Sequence, residues 1–118
     1  MTFKADMGRI SQKIGASLDE AGVAIKFELF RGVVEDTRVK TGRARGNWQL
    51  TQDAPAEGEL DKLDPSGNAT ISDISQKIKG IGNTYLTNNL PYIKKLEELD
   101  GMVAKNVARL QRIIRNVR

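Results

Sequence analysis

Residues 83–97 read Asn-Thr-Tyr-Leu-Thr-Asn-Asn-Leu-Pro-Tyr-Ile-Lys-Lys-Leu-Glu, and they decide how the second half of the chain folds. Thr84-Tyr85-Leu86-Thr87 carries the β-branched and aromatic residues of a strand. Asn88-Asn89 reads as a turn. Pro91 fits the first turn of a following helix, where a missing N–H costs nothing, and Asn89 is its expected cap. Tyr92, Ile93, Leu96 and Leu99 give this helix an apolar side, and Asp100-Gly101 breaks it. Val103, Val107, Leu110, Ile114 and Val117 follow at three- and four-residue steps and predict a second amphipathic helix.

Upstream, Met7, Ile10, Ile14, Leu18, Ala21, Ile25, Leu29 and Val33 lie on one face of a long helix, with Thr2 as its cap. Gly15, Gly22 and Gly32 weaken that helix and offer small surfaces where another backbone can approach. The pattern ends near Thr37, where Thr37-Arg-Val-Lys-Thr-Gly-Arg-Ala-Arg-Gly-Asn-Trp48 begins. Gly42 and Gly46 mark a turn, and Gly42 is the position expected to need a positive φ. Residues 47–51 alternate as a strand. Residues 54–67 read as an acidic loop, of a kind that a partner can order, with a short strand near Glu59. Ala69-Thr70-Ile71 reads as another short strand and 72–81 as a short helix. The expected fold is α+β in one domain spanning 1–118. A long helix covers about 3–37, a small, mostly antiparallel sheet with loops about 46–88, and C-terminal helices about 91–117, with the last helix packed on the sheet.

The 118 residues suit one modest core. There is no cysteine and no histidine. Thiol chemistry is excluded, and the commonest general base and metal ligand are missing. Asp6 and its polar neighbours do not read as a secretory signal, and no apolar run approaches the roughly 18 residues of a membrane span.

The net charge of +4 is mild, but its distribution is uneven. Arg38, Lys40, Arg43 and Arg45 form a basic turn without an acid. Asp53, Glu57, Glu59, Asp61 and Asp64 make the loop acidic. Lys105, Arg109, Arg112, Arg115 and Arg118 make the last helix basic. Each segment admits two readings. One is a solvated face, a turn satisfying its own geometry, or a helix end matched to its dipole. The other is an interface between copies, a channel wall, or a contact with phosphate.

No enzyme emerges. Lys40-Thr41-Gly42 has the wrong order for a phosphate loop, and the acids lack calcium-loop grammar. Ser, Thr and Lys nucleophiles have no base placed for them. Neither a cofactor nor a metal is expected. Trp48, Tyr85 and Tyr92 are expected as core or interface anchors.

The two quoted segments together resemble the neck, or tail-completion, proteins of tailed bacteriophages. In that family a long helix ends in Val-x-Thr-Gly-Arg, matched here by Val39, Thr41, Gly42 and Arg43, and feeds a strand with a Trp, here Trp48. A later strand ends in Asn-Asn-x-Pro-Tyr, matched by Asn88, Asn89, Pro91 and Tyr92, and opens a helix carrying Leu-Glu, here Leu96-Glu97. Gly101-Met102-Val103 matches a further helix start, although the family's longer stretch before it is reduced here to Glu98, Leu99 and Asp100.

The resemblance implies a structural virion protein at the head–tail junction, present in host cytoplasm during assembly. It would form a homo-oligomeric ring on the order of six or twelve copies. Partners would be the head-side connector or adaptor and the tail-tube proteins, with packaged DNA close by and no membrane. Reversing Arg43 and Arg45 to Glu is then expected to lower assembly and leave the monomer folded. The competing expectation is a small basic DNA-binding protein that uses its C-terminal helix.

Overall fold

The computed structural model describes residues 2–5 and 18–115. β1 (Thr2–Ala5) precedes the long helix α1 (Leu18–Asp36) and a single helical turn, α2 (Arg43–Gly46). Then come β2 (Gln49–Gln52), α3 (Asn68–Lys77), β3 (Thr84–Thr87), α4 (Ile93–Asp100) and α5 (Met102–Arg115). The architecture is α+β, as expected. Met7, Ile10, Ile14 and Gly15, the side chain of Ile114, and Val117 and Arg118 lie outside the described residues.

β3 is the central strand, antiparallel to β1 on one side and β2 on the other. Leu86 stands opposite Phe3 and Leu50. The first element corrects the sequence reading. Thr2 is paired with Thr87 in the sheet and does not cap a helix.

Leu29, Phe30, Val33 and Val34 of α1 share one buried cluster with Trp48, Leu50, Ile74, Leu86, Leu90, Ile93 and Met102. Met102 places the first turn of α5 in this core. Val103, Val107 and Leu110 extend the contact along α1, the main neighbour of α5. Buried Asn106 fastens the two helices, donating to Asp36 Oδ2 at 2.8 Å and to Met102 O at 2.7 Å.

Three local readings change for non-local reasons. Ala69-Thr70-Ile71 opens α3 and is not a strand, because Asp64 Oδ2 accepts the Thr70 N–H at 2.8 Å and caps the helix from outside it. No strand forms at Glu59. Asn89 does not cap α4. Its amide is drawn to Ala56 O and Gly58 O, at 2.9 and 3.0 Å.

The short link after Leu96-Glu97 also has a physical reason. The Glu97 carboxylate accepts the Val103 and Ala104 N–H groups, at 2.8 and 3.2 Å, so one residue of α4 caps α5 across the turn at Gly101. Acidic charge at a helix N-terminus is favourable. Glu97→Ala is expected to lower the unfolding free energy by about 1 kcal/mol, measured by urea titration.

Candidate functional site

α1 ends at a knot of polar groups that fixes the basic turn. The Thr37 hydroxyl donates to Val33 O at 2.6 Å and accepts the Trp48 indole N–H at 2.9 Å. Both residues are buried. Arg45 donates to Glu35 O, Thr37 O and Pro65 O, all within 2.7–2.8 Å. Two of these carbonyls lie at the end of α1, where carbonyls lack helical partners. Arg45 is therefore part of the fold. The Arg43/Arg45 charge reversal is therefore expected to destabilise the monomer as well as to lower assembly.

Gly42 has φ 89, and its carbonyl accepts both Gly46 N–H and Asp64 N–H at 3.0 Å. A Cβ here would strike the backbone of Asp64 and Pro65. The turn thus presses on the end of the acidic loop. Asn47, fully buried, grips the middle of that loop. Its amide donates to Arg43 O and Leu60 O, and its Oδ1 accepts Leu60 N–H at 2.7 Å. Gln49 and Asn89 both donate to Gly58 O at 3.0 Å. The acidic loop is thus wired to the body by side-chain amides; Asp53, Glu57, Glu59 and Asp61 are left at the surface, whereas Asp64 is buried.

Asn88 links the two halves of the site. Its buried amide donates to Ala44 O in α2 at 2.9 Å, and its Oδ1 accepts Leu90 N–H at 3.2 Å. Pro91 and Tyr92 then turn the chain beside α2. Between the basic turn and α4 lies a cleft of about 480 Å³, lined by Arg38, Lys40, Thr41, Arg43, Tyr92 and Leu96. Tyr92, Leu99 and Val39 are exposed apolar groups. Tyr92, at the N-cap position of α4, and Leu96 and Leu99 on the helix follow helical spacing and form one stripe.

The cations of the turn are used unequally. Arg38 makes a two-pronged contact with Asp100, at 3.0 and 2.6 Å, and this raises its pKa. Arg43 reaches Glu59 at 3.2 Å and Asp61 at 3.9 Å. Lys40 stands exposed at the cleft. Thr41 accepts the Arg43 N–H at 3.3 Å. Asp53 sits in a tight turn at φ 68, and Glu57 is exposed. Asp64 differs from the other acids. Burial pushes its carboxyl up, but hydrogen bonding at Thr70 and Ala69, with Lys62 nearby, outweighs this and holds it below the usual range.

The basic residues of α5 do not join this cleft. Arg109 turns to Asn106 Oδ1 at 3.0 Å and to Glu28 at 3.6 Å. Lys105, Arg112 and Arg115 are exposed. Among the described residues, no group of three or more acids is placed to hold a metal, and no helix is long and apolar enough to cross a membrane.

The sequence reading missed Asn47 and Lys26. Lys26 has no exposed surface, and its ammonium donates to Lys79 O, Gly82 O and Thr84 Oγ1. The available signal was its spacing, four residues before Phe30 and seven before Val33, which puts it on the core face. No protein-family model, curated protein or solved structure matches the chain.

Proposed function

We propose that this chain is a structural, non-enzymatic virion protein of a tailed phage, a neck or tail-completion component that joins the filled head to the tail. It acts as a homo-oligomeric ring between the head-side connector and the tail tube. One observation carries the reading. The two segments that bear the family-like motifs are distant in sequence, yet Asn88 ties them together at Ala44, and they line the same basic and apolar cleft. A partner surface with acidic and apolar groups complements such a cleft.

Deleting the reading frame is expected to leave filled heads beside free tails in negative-stain micrographs, with joining restored by added protein. Lys40→Glu should restore it poorly while leaving the urea midpoint unchanged, because Lys40 is exposed. Normal tailed particles from the deletion would sink the role.

The alternative is a small DNA-binding protein. It is favoured by the stripe of Lys105, Arg109 and Arg112 at helical spacing, on a helix without an acid. It predicts duplex binding at low salt that weakens steeply as salt rises, and no binding at low salt removes it.

A further inference from the structure

α5 keeps one basic face clear of the body. Lys105 and Arg112 lie nearly two full turns apart, so they share a side of the helix about 10 Å long. Both are exposed, and α5 carries no acid. Among the described residues Arg109 is the only cation of α5 in an ion pair, with Glu28. The fold does not ask for all of this charge. Lys105 sits in the first turn of α5, where the helix dipole opposes a cation. Ile113, next to Arg112, adds an apolar group that is 48% exposed.

The same chain carries a surface of matching chemistry. In the acidic loop the backbone is held while the side chains are not. Asn89 donates to Ala56 O and Gly58 O, Gln49 donates to Gly58 O, and Asn47 binds both the N–H and the carbonyl of Leu60. These anchors bracket Glu57, which is exposed. Among the described residues only Glu59 and Asp61 of the loop make ion pairs, both with Arg43, and the Asp61 pair is long at 3.9 Å. Leu63 follows, 63% exposed. Fixed presentation of exposed side chains lowers the entropy cost of binding. Glu57 and Asp61, four residues apart, span at most about 14 Å, enough to reach from Lys105 to Arg112.

Within one copy no ion pair joins these two surfaces among the described residues. α5 runs antiparallel to α1. Asn106 bonds Asp36 at the end of α1, Arg109 pairs with Glu28, and Ile113 lies beside Ala24 and Ile25. The acidic loop is tied beyond that end of α1, through the bond from Asp64 N–H to Gly42 O. Ala24 to Asp36 covers about 18 Å of helix, so the second half of α5 points away from the loop of its own copy. Complementary surfaces set apart in this way suit a head-to-tail contact, the kind that closes into a ring or runs on as a filament. Copies with a net charge of +4 repel one another, so their association requires opposite charges to meet locally.

We propose that the basic face of α5 docks the acidic loop of the next copy, with Glu57 and Asp61 on Lys105 and Arg112 and with Leu63 against Ile113. The proposal rests on the ring reading above for its use in the particle.

The chain has no cysteine, so introduced ones report the contact directly. Leu63→Cys and Ile113→Cys are prepared as separate proteins, mixed at low salt, oxidised, and read by intact mass. A mixed disulfide dimer is expected far above the like-with-like dimers of either protein alone, and no such excess overturns the contact. Adding Glu57→Lys to the Leu63→Cys protein is expected to cut the mixed yield by about threefold. Adding Lys105→Glu to the Ile113→Cys protein should then restore it. Thermal midpoints stay unchanged, because both residues are exposed. An undiminished yield, or a loss without rescue, overturns the charge match. Duplex binding at low salt that Lys105→Glu and Arg112→Glu abolish, with no mixed dimer, assigns the face to phosphate and overturns the contact.

A chain carrying both cysteines separates the contact from the ring. A covalent ladder that stops at a fixed number of copies supports both, while one that runs on without limit keeps the contact and sinks the ring. No mixed dimer, combined with unjoined heads and tails on deletion, sinks the contact and keeps the ring.

Discussion

Lys26→Met is expected to lower the unfolding free energy by about 2–3 kcal/mol at neutral pH, measured by urea titration. Hydrogen bonds from charged donors are worth about 1.5–3 kcal/mol each, and the substitution removes three. Relief of the buried charge offsets part of this loss. Thr84 Oγ1 keeps a second partner, donating to Gln52 Oε1 at 3.0 Å, whereas Lys79 O and Gly82 O lose their ammonium donor.

The pH dependence carries a sign that separates this lysine from a surface one. Burial lowers its pKa below the ordinary 10.5. Between the lowered value and 10.5 the unfolded chain therefore binds more protons than the folded one. Stability from this group rises with pH across that window. The gap between wild type and Lys26→Met should widen with increasing alkalinity until 10.5 is passed. A gap that narrows there would mean that the ammonium is held by an acid. A substitution that costs under about 0.5 kcal/mol would mean that the grip on residues 79–82 is loose.

What was legible in the sequence was what depends on near neighbours. The β3–turn–α4 unit follows from the β-branched and aromatic residues of 84–87 and from Pro91, both local signals. Gly42 was legible because a Thr-Gly-Arg turn at a helix end asks for a left-handed residue. The start of α3 was not legible, since its cap is supplied by Asp64 from outside the helix. β1 was hidden because four residues carry no period, and Phe3 stood near enough to the helical pattern to be absorbed by it.

The basic turn illustrates the same division within the site. Its four cations are plain in the sequence, but their uses depend on distant partners. Arg38 meets Asp100, Arg43 meets Glu59, and Arg45 is spent on three carbonyls. Lys40 stands exposed at the cleft, and it carries the functional test for that reason. Asn47, Asn88 and Asn89 looked like turn residues or, for Asn47, a strand position. Their amides instead bind backbone far along the chain, which no local spacing reveals.

Gly42→Ala is expected to cost about 3 kcal/mol and to loosen the acidic loop. Two effects add. At φ 89 an L-residue meets the left-handed penalty of about 1–2 kcal/mol. The new Cβ also runs into the backbone of Asp64 and Pro65, and overpacking of this kind costs about 1–3 kcal/mol. The obstacle is main chain rather than the end of a flexible side chain, so relief requires the turn and the loop to separate. Separation breaks the Gly42–Asp64 backbone bond and disturbs the Asp64 cap on α3. Gly42→Asn divides the two effects, because asparagine tolerates the left-handed region but still carries a Cβ. It should recover about 1 kcal/mol of the loss and no more. Full recovery would assign the whole cost to backbone conformation and remove the steric coupling between the basic turn and the acidic loop. Trp48 is buried against Thr37, next to this turn, so its fluorescence during urea unfolding reports both variants in the same experiment.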